Sequence, residues 1–354
     1  MLRNVLAFLA AGALGVTAPV LAAEPQLNQP VQKLFKDWQV TCNNLNDCDI
    51  RNVDENMRVV IKHQAGANGA VSLDIMSFDA PKAEGIWLDG KPWHSDITLS
   101  DADDNNDFAN AHSEKLSEIQ ALLQAAKNAM TMTLTADQDV ASSLSGLNAA
   151  LLFVDDRQGR INNQTALFKV GNDEPDSVPP RLTTIPSIHP PAIVALSSPQ
   201  ALIDAVLQSQ QTMLKQEECE SADNNDTQHN EAQPLDDKNA LVMINCVQGA
   251  YQSSSLVFIT PRAAPQTAKL LTLPLPLVEG QDKPDNVSWF TEVSYDPKTG
   301  ELFHAARGRG IADCGESAGW RYDGKTFHLI SYNSQPSCDG GEPGDWPSIW
   351  ATPE

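Results

Sequence analysis

The chain has 354 residues, of which 41% are hydrophobic, so it is long enough to bury a core and to form two domains. Its 46 acidic and 24 basic residues give a formal net charge of −22. Such a surface would repel nucleic acid and anionic lipid head groups, because both need a basic binding surface, so we expect no nucleic-acid partner.

Residues 1–22 have the pattern of a cleavable export signal. Arg3 belongs to a short basic start, an apolar run covers 5–20, and Ala22 is a small residue at the expected cleavage position. A membrane anchor is the alternative, but the run is short for a transmembrane helix. We expect cleavage after about Ala22, a periplasmic location and no transmembrane segment in the released chain.

Six cysteines follow this signal, and they fall into three neighbouring pairs: Cys42 and Cys48, Cys219 and Cys246, Cys314 and Cys338. An even number of cysteines in an exported protein is typical of disulfides. The sequence has no Cys-x-x-Cys pair of the kind that redox enzymes use. Six cysteines allow many pairings, so sequential pairing is a hypothesis.

The first predicted domain covers 27–170 and combines strands with two helices. Alternating apolar residues predict strands at 38–42, 59–61, 71–75 and 130–135. Apolar residues at helical spacing predict a helix over about 112–129. A second predicted helix begins near Ser145 and stops at Gly159.

A proline-rich linker is predicted over 171–193. Six prolines lie between 175 and 191, and they exclude a helix or a central strand there. We expect a semi-rigid connection between two halves of the chain.

The second predicted domain covers 194–354 and consists of a helix followed by an antiparallel sheet. Ser198 and Pro199 form a helix-start signal, and the apolar pattern continues to about Gln216. The acidic stretch 220–238 is predicted to be a mobile loop. Strands are predicted at 241–247, 256–260, 287–295, 302–306, 320–322 and 327–330.

These elements do not alternate in a repeating βαβ order. We therefore predict an α+β fold of two disulfide-braced domains, with mostly antiparallel strands and about three helices.

Several sequence strings together resemble a family of exported bacterial proteins with six cysteines whose function is uncharacterised. The strings lie in order along the chain: 35–42 (FKDWQVTC), 143–151, 154–160 (VDDRQGR), 246–251 (CVQGAY), 307–315 (RGRGIADCG) and 346–350 (WPSIW). The first half is also distantly similar to the invasion-associated locus B proteins of bacterial envelopes. The resemblance implies export and paired cysteines, and it implies no activity.

The loop with Arg307, Arg309 and Asp313 is the leading candidate binding site. A glycine follows each arginine, and backbone amides in such a loop can face an anion while arginine holds a carboxylate or phosphate. The alternative is a tight loop whose arginines pair with the protein's own carboxylates. Arg157 and Arg160 form a second candidate contact, for which a local salt-bridge cluster is the alternative.

The acidic segment 101–107 begins like a calcium loop but lacks glycine at the sixth position. A solvated loop is the favoured interpretation, with a weak calcium site as the alternative.

No familiar catalytic or zinc-binding spacing occurs among the histidines and serines, so we expect neither cofactor nor metal. The sequence favours a non-catalytic binding or envelope-maintenance module whose partner is an unknown envelope protein or ligand. The alternatives are an envelope or cell-wall hydrolase that uses carboxylates, and an inhibitor of a basic lytic enzyme.

Overall fold

The structure is a computed structural model that describes residues 28–53, 57–77, 82–94, 96–102, 109–136, 140–182, 187–219 and 229–352. The predicted export signal lies outside these residues. Every pairing between strands in the described ranges is antiparallel. No helix in them is both long and apolar enough to cross a membrane.

The first half forms eleven strands and two helices. The strands are β1 (Val31–Phe35), β2 (Trp38–Cys42), β3 (Cys48–Asn52), β4 (Met57–His63), β5 (Val71–Ser77), β6 (Ile86–Leu88), β7 (Lys91–Trp93), β8 (Thr98–Ser100), β9 (Ala109–Ser113), β10 (Thr131–Thr133) and β11 (Ser142–Ser143). The helices are α1 (Leu116–Ala126) and α2 (Leu147–Arg157).

These strands build a seven-stranded sheet in the order β1-β2-β3-β4-β5-β9-β8 and a four-stranded sheet in the order β11-β10-β6-β7. One buried cluster joins the sheets to both helices. It includes Trp38 and Ile61 from the large sheet, Ile119 from α1, and Leu151 and Val154 from α2. Burial of this apolar surface holds the half together.

The second half forms two helices and twelve strands. The helices are α3 (Pro199–Ser209) and α4 (Gln211–Gln216). The strands are β12 (Glu231–Pro234), β13 (Asn239–Gln248), β14 (Ser253–Pro261), β15 (Lys269–Leu270), β16 (Leu273–Pro274), β17 (Asn286–Val287), β18 (Trp289–Thr291), β19 (Ser294–Asp296), β20 (Glu301–Arg307), β21 (Gly315–Tyr322), β22 (Phe327–Gln335) and β23 (Ser348–Ala351).

Two five-stranded sheets dominate this half, in the orders β12-β13-β14-β15, with β18 also pairing to β14, and β19-β20-β21-β22-β23. Strands β16 and β17 form a small separate sheet. Helix α3 packs on the first sheet through Leu202, Ile203 and Val206. A second cluster lies around Phe290 and Trp320.

The prediction that the cysteines form disulfides is confirmed. Cys42–Cys48 links β2 to β3, Cys219–Cys246 links the end of α4 to β13, and Cys314–Cys338 links the start of β21 to the segment after β22. Each bond therefore fixes a chain segment against a strand.

The predicted α+β fold class is wrong, because the structure consists mainly of antiparallel β-sheets, with 38% strand and 15% helix. The predicted helices exist but are short. Strand β9 (109–113) overlaps the first two residues of the helix that was expected over about 112–129, and β12 (231–234) lies inside the stretch 220–238 that was expected to be a mobile loop. Both strands are short and lack large apolar residues that would mark them in the sequence, and each pairs with a neighbouring strand that offers backbone hydrogen bonds.

The domain boundaries at 27–170, 171–193 and 194–354 stay a prediction. In the described part of the linker, residues 187–193 form neither helix nor strand, and Pro175–Ser177 forms a short 3₁₀ helix.

Candidate functional site

The loop after β20 is held in one shape by its own backbone. The amide of Gly308 donates to the carbonyl of Cys314 over 2.8 Å, and the amide of Ala312 donates to the carbonyl of Arg309 over 3.0 Å. A Cβ atom on Gly308 would lie 2.6 Å from Sγ of Cys314, so this position needs glycine. The disulfide and the turn thus position the predicted arginines.

Arg309 and Asp313 form an ion pair within this loop. Nε of Arg309 donates to Oδ1 of Asp313 over 2.7 Å, and the amide of Gly340 donates to Oδ2 over 2.8 Å. The Asp313 side chain is fully buried. The hydrogen bond from Arg309 holds the pKa of Asp313 below its usual value. Arg309 therefore stabilises the loop, as the alternative interpretation of this motif expects.

Arg307 differs from Arg309. Its backbone is held by the side chain of Gln252, whose Oε1 accepts from the Arg307 amide over 2.9 Å and whose Nε2 donates to the Arg307 carbonyl over 3.4 Å. Its half-buried side chain has no hydrogen bond or ion pair with any other described residue. The guanidinium is thus available to a ligand.

The turn between β13 and β14 lies against the same loop. It is closed by a hydrogen bond from the Gly249 amide to the Gln252 carbonyl, 3.0 Å. A Cβ atom on Gly310 would lie 3.8 Å from the ring of Tyr251, so ring and backbone are neighbours. Tyr251 is 72% exposed and Ile311 is 58% exposed.

We call Tyr251, Arg307, Gly310 and Ile311 the Tyr251–Ile311 surface. It combines an exposed aromatic ring, an exposed aliphatic side chain and a guanidinium that is unpaired among the described residues, on a braced backbone. Two sequence strings that lie 60 residues apart, 246–251 and 307–315, meet there. Tyr251 and Gln252 were missed as site residues by sequence reasoning, because nothing in the sequence places one hairpin turn beside another loop.

The segment 338–346 connects this surface to the first half of the protein. The amide of Gly344 and Nε1 of Trp346 both donate to the carbonyl of Ala312, over 2.9 and 3.1 Å. Asp345, which lies between these two residues, meets two buried arginines of the large sheet, Arg51 and Arg58. Nη2 of Arg58 lies 2.9 Å from Oδ2 of Asp345.

Arg51 and Arg58 are almost fully buried and sit among carboxylates from both halves. Nη2 of Arg51 lies 2.6 Å from Oδ2 of Asp49, and Nε of Arg58 lies 3.9 Å from Oδ2 of Asp339. Burial raises the pKa of Asp339. Burial also acts to raise the pKa of Asp345, but the charges of its basic neighbours outweigh it and lower the pKa.

A cleft of about 330 Å³ lies between these two halves. Its lining includes Asp47, Asp49, Lys62, Asp345 and Trp346. Each carboxylate that lines it is already paired: Asp47 with Arg181, Asp49 with Arg51, and Asp345 with Arg58 and Lys62. The cleft therefore offers no carboxylate free for acid–base work.

The structure places Arg157 and Arg160 elsewhere. Arg160 is fully buried and donates to the carbonyls of Gln64 and Gly66, over 3.0 and 2.6 Å. Burial lowers its pKa to about 10, so it stays charged at neutral pH. Arg157 donates to the carbonyl of Gln29 and lies 3.4 Å from Glu279. Arg160 has an internal structural role, and the partners of both arginines lie outside the Tyr251–Ile311 surface.

One group of three potential metal ligands occurs among the described residues: Asp313, Cys314 and Cys338. The two sulfur atoms are bonded to each other, and the carboxylate is occupied by Arg309 and Gly340. This group therefore does not fit a metal in the oxidised protein. The calcium-like segment 101–107 falls largely outside the described residues; Oδ1 of Asp101 accepts from the amide of Ala83 over 3.0 Å.

Fold and site define an antiparallel β-protein braced by disulfides, with an exposed surface built from two loops. The chain belongs to the family described as "Protein of unknown function (DUF1176)", whose model matches residues 32–353. It is similar to the uncharacterized protein YpfG of Escherichia coli (strain K12), with 35% identity, covering 91% of this chain and 93% of the relative. No solved structure matches. The prediction of a family of unknown function that spans most of the chain is confirmed.

Proposed function

We propose that this protein is a non-catalytic binding or envelope-maintenance module, exported to the bacterial periplasm and cleaved after about Ala22. Its contact site is the Tyr251–Ile311 surface. The disulfides support an oxidising compartment, because such bonds rarely persist in the cytosol. The resemblance of the first half to the invasion-associated locus B proteins stays a hypothesis that rests on two short strings.

The observation that carries this proposal is the exposure of Tyr251 on a fixed backbone next to the loop of Arg307, whose guanidinium has no partner among the described residues. Tyrosine and arginine dominate the binding energy of many protein interfaces, since both provide a large contact area with a polar end. An exposed tyrosine ring keeps apolar surface in contact with water, and burying that surface in an interface contributes favourably to the free energy of binding. Its position on a braced turn lowers the entropy cost of binding.

A hydrolase is supported less well. Acid–base catalysis needs a carboxyl group whose pKa is raised and which can reach a substrate. Asp339 has the raised pKa, but it is buried and does not line the cleft, whereas Asp345, which does, has a lowered pKa. Burial also lowers the pKa of His63 to about 3, which makes it a weak base.

A pull-down from envelope extract with the oxidised mature protein tests the proposal. Simultaneous substitution of Arg307 and Arg309 is a poor variant, because Arg309 neutralises the buried Asp313. The Tyr251→Ala variant removes the exposed ring without touching that pair. Met130→Ala is the matched control, since Met130 is 65% exposed and lies in the first half.

We expect wild type and Met130→Ala to capture the same partner and Tyr251→Ala to lose it, with equal melting temperatures for all three. Capture by Tyr251→Ala at the wild-type level would contradict the site. Capture of a basic lytic enzyme that weakens steeply with salt would identify the inhibitor function instead.

A further inference from the structure

We propose that the Tyr251–Ile311 surface binds the C-terminal carboxylate of a partner protein whose last side chain is apolar. This inference rests on the proposed function and names the chemistry of its partner. Backbone amides and an arginine can together capture a terminal carboxylate, and a neighbouring apolar contact then selects the last side chain.

The first support is the unpaired charge of Arg307. The protein has 46 acidic residues against 24 basic ones, and the neighbouring Arg309 is paired with Asp313. Arg307 nevertheless has no acidic partner among the described residues. A guanidinium fork matches the two oxygens of a carboxylate and forms charge-assisted hydrogen bonds with it.

The second support is the turn beside it. The hydrogen bond from the Ala312 amide to the Arg309 carbonyl places Gly310 and Ile311 at the centre of a β-turn. Within the described part of the chain, neither the Gly310 nor the Ile311 amide has an acceptor, and both residues are exposed. Because Gly308 and Gly310 have no side chains, a ligand can approach this backbone closely.

The third support is the apolar surroundings. Tyr251 lies beside the turn, in the connection between β13 and β14, and Ile311 is part of the turn itself. Both residues are mostly exposed. A terminal residue carries its carboxylate and its side chain on one Cα atom. A carboxylate bound at the turn would therefore hold the apolar side chain of the same residue next to this turn, where Tyr251 and Ile311 are exposed.

The backbone that carries these groups is fixed before any ligand binds. The Cys314–Cys338 bond, the buried Asp313 and the two hydrogen bonds from Gln252 hold it from three sides. Such preorganisation reduces the ordering cost of binding, which matters most for a small ligand.

Nuclear magnetic resonance on the ¹⁵N-labelled, oxidised mature protein tests this inference with three probes. N-acetylphenylalanine has a free carboxylate and an apolar side chain, its carboxamide lacks the charge, and N-acetylaspartate methylamide has the carboxylate on the side chain. We expect the Gly310 and Ile311 amide signals to shift with N-acetylphenylalanine, with saturation at roughly millimolar concentration, as suits so small a ligand.

We expect at least tenfold weaker binding of the carboxamide and of the aspartate probe. Arg307→Gln should weaken N-acetylphenylalanine at least tenfold, whereas Arg321→Gln, on the neighbouring strand β21, should leave it unchanged. Equal binding of acid and carboxamide would overturn the inference, as would equal binding of the aspartate probe or insensitivity to Arg307→Gln.

Failure of this inference can be told apart from failure of the proposed function. If Tyr251→Ala abolishes partner capture while Arg307→Gln retains it, the surface binds a partner but not through a carboxylate. If neither variant affects capture, both are wrong.

Discussion

Gly341 lies directly against the guanidinium of Arg58, so that a Cβ atom at position 341 would overlap Nη1 and Cζ of the arginine. The Gly341 amide donates to Oδ1 of Asp339 over 3.1 Å, and the same carboxylate faces Nε of Arg58. The segment that carries Gly341 begins at the Cys314–Cys338 bond. One glycine thus lets a C-terminal segment close over a charge buried in the first half.

Gly341→Ala should destabilise the protein by about 1–3 kcal/mol, because an overpacked buried site must shift its neighbours. The unfolding midpoint in urea measures this effect. Gly310→Ala is the matched control, since its Cβ atom would meet only the Tyr251 ring at ordinary contact distance. Equal midpoints for both variants would show that the Arg58 contact is not tight.

The Cys314→Ala/Cys338→Ala double variant should lose about 3 kcal/mol of stability, the amount expected for closing a loop of this length. It should also speed hydrogen exchange at the Gly340 and Gly344 amides, whose acceptors lie in the loop that this disulfide fixes. Cys42→Ala/Cys48→Ala serves as control and should leave those two amides protected. Unchanged exchange at the Gly340 and Gly344 amides in Cys314→Ala/Cys338→Ala would show that this disulfide does not order the segment 338–346.

Asp313→Asn should reduce the amount by which the free energy of unfolding falls at acid pH. The pKa of Asp313 is lowered in the folded protein, chiefly by the hydrogen bond from Arg309. Its contribution to stability is therefore complete above the usual value of 3.8 and is lost as the pH falls through the lower, folded value. The variant should be less stable than wild type at pH 7, with a smaller difference at pH 3. A constant difference between pH 7 and pH 3 in urea melts would contradict the assignment.

Arg160→Lys should destabilise the protein by about 2 kcal/mol or more while leaving partner capture intact. Arginine reaches two carbonyls and Oε1 of Gln158 from one planar fork, and lysine cannot reproduce that geometry. Arg307→Lys is the control and should cost little stability, because the Arg307 side chain has no hydrogen bond or ion pair with the residues that the structure describes. Loss of capture with retained stability in Arg160→Lys would restore Arg160 as a contact residue.

Sequence patterns located the helices but gave the wrong fold class. Ser198 with Pro199, and the stop at Gly159, correspond to the start of α3 and the end of α2, although the Ser198 side chain makes no capping hydrogen bond. Strands such as β9 and β12 were missed, because they are short and lack the large apolar or β-branched residues that mark a strand in the sequence. Their pairing partners lie elsewhere in the chain and supply the missing hydrogen bonds.

The candidate site was predicted in part. Glycine-flanked arginines marked the loop at 307–313, but their different roles depend on what each side chain meets. Arg309 pairs with a buried carboxylate and Arg307 has no partner among the described residues, although a glycine follows each of them. Arg160 was a candidate contact with a local salt-bridge cluster as the other interpretation, and it is fully buried against the carbonyls of Gln64 and Gly66, which no local spacing indicates.

The sequence by itself determined the local features of this protein: an acidic chain, cysteines close enough to pair, and the loop rich in glycine and arginine. These follow from residue type and short-range spacing. Only the tertiary structure decided that Tyr251 lies beside Gly310 and that Gly341 closes over Arg58. Such contacts depend on the summed packing of distant strands, and no spacing along the chain encodes that packing.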